Sequence, residues 1–60
     1  MIITGKSTLE EIQQADEFKD VEWRWHDVNG LFMILECLKK HNKSCEIFID
    51  NHKQICYKIN

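Results

Sequence analysis

Three cysteines, three histidines and one Gly-Lys-Ser sequence are the groups in this 60-residue chain best suited to chemistry. Cys37 and His41 are four residues apart, and on a helix that spacing would put both on one face, within reach of one zinc ion. His52 and Cys56 share the spacing but fall in β-prone sequence, where four residues span roughly 13 Å. Two ligands from one helix fall short of a tetrahedral set, so no metal and no cofactor is expected. An odd cysteine count also fits no disulfide framework, and free thiols suit a reducing compartment.

Thr4-Gly-Lys-Ser-Thr8 resembles the end of a phosphate-binding Walker loop, between a strand-like run and a helix. The leading glycine of that loop would fall before Met1, and 60 residues cannot house a nucleotide-hydrolysing domain. The segment therefore reads first as a helix cap. A secondary reading is an anion site made by Gly5, Lys6 and Ser7 at the helix start. No flanking signature supports a Cys-His nucleophile pair. Paired carboxylates in apolar context and a G-x-S-x-G turn are both missing, so the chain is not expected to be an enzyme.

The elements that must position these groups follow from spacing. Met1 to Thr4 is a short β-prone run. Ser7 and Glu10 form a capping box for a helix over Thr8 to Glu17, with Glu10 and Glu11 at its positive end. Val21 to His26 alternates, Val21, Trp23 and Trp25 facing one way, which predicts a half-buried strand with both tryptophans packed under the helices. Asp27 would cap a second helix over Val28 to His41, whose stripe is Val28, Leu31, Phe32, Leu35 and Leu38. Lys39, Lys40 and His41 suit its negative end, and Asn42 suits a left-handed cap.

The remaining residues predict a hairpin with the loop Asn51-His52-Lys53. That loop sets Ile49 opposite Ile55, Ile47 opposite Tyr57 and Cys45 opposite Ile59 on one face. Phe48 then meets Cys56, and Glu46 meets Lys58, on the other. The expected fold is a single α+β domain over residues 1–60, a two-layer sandwich in β-α-β-α-β-β order. Both helices would cover one face of a three- to four-stranded sheet that ends in the hairpin.

Charge narrows the partners. Residues 1–30 carry three basic and seven acidic side chains, net −4, whereas residues 31–60 carry five and three, net +2. That balance lacks the basic footprint of nucleic-acid binding. The longest apolar run, Leu31 to Leu35, is far short of the ~20 residues of a membrane span, and Met1 to Thr4 lacks the apolar stretch of a signal peptide. A cytoplasmic protein is expected. Phe48 with Cys56, and Met33 with Cys37, are apolar groups predicted outside the core, and clustered exposed apolar groups mark contacts. The expectation is a non-enzymatic protein–protein interaction module acting as an inhibitor, adaptor or regulator. It would use the acidic residues Glu10, Glu11, Asp16 and Glu17 together with Met33, Phe48 and Cys56, and would also self-associate. The alternative is the small-ligand or anion site at Gly5, Lys6 and Ser7.

Overall fold

Alternating side chains on either side of Asp50–Gln54 fold back as a hairpin of β2 (Ser44–Ile49) and β3 (Ile55–Ile59) in the expected register. The computed structural model describes residues 1–59. Asp50 builds the turn. One of its carboxylate oxygens accepts from the N–H groups of both His52 and Gln54, at 2.9 Å each. This local bonding holds Lys53 in the left-handed region at φ 61° without a glycine. β1 (Ile2–Thr4) adds antiparallel to the far edge of β2, Ile3 opposite Cys45, giving the order β1-β2-β3.

Two helices complete an α+β domain, but in the order β-α-α-β-β, without the strand expected over Val21 to His26. Successive turns lead out of the first helix instead. The Phe18 N–H donates to the Ala15 carbonyl (2.9 Å), and the Val21 N–H to the Phe18 carbonyl (3.1 Å). These turns swing Phe18 inward until it is fully buried. The Trp23 indole N–H reaches the Phe18 carbonyl at 3.4 Å, its ring tilted against Phe18 at 6.2 Å. A strand here would leave that plug outside.

Helix α1 (Leu9–Gln14) is shorter than expected and is capped by Thr8, whose hydroxyl accepts from the Glu11 N–H at 3.1 Å. Ser7 serves the preceding turn instead, its hydroxyl accepting from the Thr4 N–H at 3.0 Å. Helix α2 (Trp25–His41) begins three residues early. Asp27 therefore caps from the third helical position, its carboxylate accepting from the Arg24 N–H at 3.3 Å. Asn42 ends the helix in the left-handed region at φ 52°, as expected.

Leu31, Leu35 and Leu38 of α2 face the sheet's inner row of Ile3, Cys45 and Ile47, with Ile12 and Phe18 closing the side. Phe32 does not join them. It lies about 100° round the helix from Leu31, beyond the strip the narrow sheet can cover, and stays half exposed. Trp25, placed in the core by the alternation reading, is 81% exposed because it opens α2 on the side away from the sheet. Gly5 fixes where the β1–α1 turn rests. A Cβ there would stand 2.4 Å from the Lys39 Cα, a distance real contacts never reach.

Core and surface should separate cleanly on truncation. Phe18→Ala removes a fully buried ring and should cost about 3–5 kcal/mol, enough to unfold most of so small a domain. Trp25→Ala should change monomer stability by no more than about 0.5 kcal/mol. Urea titrations of dilute protein followed by circular dichroism read both.

Candidate functional site

The outer side of α2 carries the largest exposed apolar groups on one element. Trp25 (81% exposed), Phe32 (50%) and Met33 (68%) lie at i, i+7 and i+8, with Asn29, Glu36 and Lys40 between and beyond them. At 1.5 Å and 100° per residue, these six positions form one face about 22 Å long. The face has a charge gradient. Asp20 and Glu22 precede its start, and Lys39 and Lys40 stand at its end.

The structure scatters the acidic residues singled out by sequence. Glu10 and Glu11 are exposed on α1, Glu10 accepting from the Gln14 amide at 3.3 Å. Asp16 lies 3.7 Å from the Lys19 ammonium, and Glu17 lies 3.4 Å from the Met1 nitrogen. Phe48 and Cys56 do pair across β2 and β3 on the open sheet face, near Ile2. Cys56 is drawn toward the turn, however, its thiol 3.5 Å from the second Asp50 carboxylate oxygen. Met33 lies on α2 and meets neither group, so the expected site residues divide among three surfaces. Cys37 and His41 are both exposed on α2, and no group of three or more potential ligands gathers among the described residues.

Two depressions stand out among the described residues. The larger, about 770 Å³, lies between the 20–27 segment and the hairpin turn, with Val21, Ile49 and Ile55 as its apolar part. Arg24 and Lys53 on its rim face Asp20, Glu22 and Asp27, so its charges largely cancel, and no serine, threonine or cysteine lines it. The smaller, about 560 Å³, brings Gly5 and Lys6 together with Lys39 and Lys43. Ser7, the third residue of the expected anion site, does not line it.

Titration behaviour is set by the hairpin. The Gln54 N–H holds the Asp50 carboxyl below its usual range against a partial burial penalty, with the His52 N–H and the Cys56 thiol helping. Partial burial, then the Asp50 carboxylate, pushes the Cys56 thiol up. Burial does the same to Cys45, opposed by the Lys58 backbone.

No protein-family model matches the chain, and no curated protein or solved structure matches it either. No helix among the described residues is long and apolar enough to cross a membrane.

Tyr57 gives the fold an alkaline limit. Burial, then the charges of Asp27 and Cys45, pushes its phenol from the usual 10 up to about 12. The unfolded chain ionises first, so the stabilisation is complete below pH 10 and is lost as pH rises toward about 12. Tyr57→Phe should reduce the alkaline loss across that interval, leaving the part due to the raised Cys45 and Cys56 thiols. An unchanged alkaline loss in the variant would assign it to other groups.

Proposed function

We propose that this protein is a small non-enzymatic interaction module that works as a homodimer, paired through the outer face of α2. The supporting observation is the exposure of Trp25, Phe32 and Met33 on one side of the longest helix, three of the seven exposed large apolar groups among the described residues. Domains of this length commonly gain stability from self-association.

A second copy fits that face by charge. In a two-fold pair the helices run antiparallel, and the Asp20 and Glu22 end of each approaches the Lys39 and Lys40 end of the other. An axis passing between Phe32 and Met33 brings Trp25 level with the partner's Lys40, and Asn29 level with the partner's Glu36. Those pairings allow a cation–π contact and an amide–carboxylate hydrogen bond at each end. Phe32 and Met33 then pack at the centre.

The three side chains expose on the order of 400 Å² per copy, so covering both sets buries about 800 Å², the size of a weak, reversible interface. The open sheet face is a poorer match, because Phe48 and Cys56 there adjoin the Glu46–Lys58 row.

Sedimentation equilibrium at micromolar concentration should give twice the 7.2 kDa chain mass. Phe32→Glu should yield the monomer with an unchanged far-ultraviolet spectrum, whereas Phe48→Ser should leave the dimer intact. A 7.2 kDa species at high micromolar concentration would contradict the proposal. A dimer lost with Phe48→Ser but kept with Phe32→Glu would move the interface to the open sheet face.

A further inference from the structure

We infer that the depression beside Gly5 is a binding site for a dianionic phosphate group, carried by a small phosphorylated molecule or free in solution. Lys6 reaches it from the β1–α1 turn, Lys39 from the last turn of α2, and Lys43 from the link into β2. Thr4 and Ser44, paired at the ends of β1 and β2, complete the lining with Asn42 and Leu38. No aspartate or glutamate lines the depression. None of the three lysines forms a salt bridge with a described residue.

Lysines at a helix C-terminus have an ordinary use, since they offset the negative end of the dipole. That end amounts to about half an elementary charge. Lys39 and Lys40 alone already exceed it from within the last turn. Lys6 and Lys43 come from outside the helix, leaving a surplus of more than two positive charges around one concavity.

Gly5 creates the convergence. Its Cα rests on the Lys39 backbone where no side chain fits, so the Lys6 turn is held against the end of α2. The Lys6 N–H donates to the Thr4 hydroxyl oxygen at 3.2 Å, which fixes the turn and leaves the Thr4 hydroxyl hydrogen free to donate. Three ammonium groups suit a phosphate dianion, and the volume of about 560 Å³ leaves room for the organic part of a phosphate ester. The site makes no use of the start of α1, where sequence alone places it, because Ser7 is committed to the turn.

The test is a ¹⁵N–¹H titration with inorganic phosphate at pH 7.5, with sodium chloride at matched ionic strength as control. Phosphate should produce saturable shifts confined to residues 4–6 and 38–44, with a millimolar dissociation constant, and chloride should not. The exposed substitutions Lys6→Gln with Lys43→Gln should weaken binding at least tenfold without altering the spectrum elsewhere. Lys58→Gln, on the open sheet face, should leave it unchanged. A phosphorylated probe, adenosine monophosphate, that binds tenfold tighter than phosphate would identify an esterified ligand, and equal affinity would identify free phosphate. Linear shifts matched by chloride, or saturation that survives the double substitution, would overturn the assignment.

Discussion

The contact between Ile3, Cys45 and Ile47 on the sheet and Leu31, Leu35 and Leu38 on α2 governs the remaining surfaces of the molecule. A chain of this length buries only about 60% of the surface it exposes when unfolded. It therefore has apolar material for one sealed layer and no second. A three-stranded sheet is narrow, so a single helix covers its centre, and α1 with Phe18 closes one flank. Side chains on α2 more than about 90° from the leucine row have nothing to pack against. Trp25, Phe32 and Met33 are outward for that reason, not because polar groups displace them.

The same seal arranges the charges. α2 is the one long element, and its ends are far enough apart to keep unlike charges separate. The acidic stretch from Asp16 to Glu22 leads into its start, and Lys39, Lys40 and Lys43 gather at its finish. β1 then returns Gly5 and Lys6 to the finish, because its pairing with β2 ends beside Ser44. One helix thus carries a self-complementary gradient along its outer face and a basic concavity at its tip.

Legibility in the sequence followed the range of the interactions. The hairpin register was readable because one loop length alone keeps apolar partners together on one face, and a slip reverses every side chain. The left-handed Asn42 and the body of α2 were equally local. The Val21–His26 strand failed because Val-Glu-Trp-Arg-Trp satisfies a two-residue period while Asp27 permits a helix start at Trp25. Choosing between these depends on whether Phe18 is needed as a plug, which is a tertiary fact. Trp25 changed sides with that choice. The lysine convergence could not be read either, since it rests on Gly5 meeting Lys39 across thirty-four positions of chain. By sequence, Gly5 and Lys6 belong to a helix start that Thr8 in fact caps.

Native-state hydrogen exchange on dilute monomer addresses the central seal most directly. If α2 and β2 form one cooperative layer, the amides from Leu31 to Leu38 and at Cys45 and Ile47 should be the slowest and should exchange together, at the global unfolding rate. The amides of Glu22 to Arg24 should exchange orders of magnitude faster. Slow exchange across Val21 to His26, with fast exchange in β1, would instead mean a strand at that position and a different core.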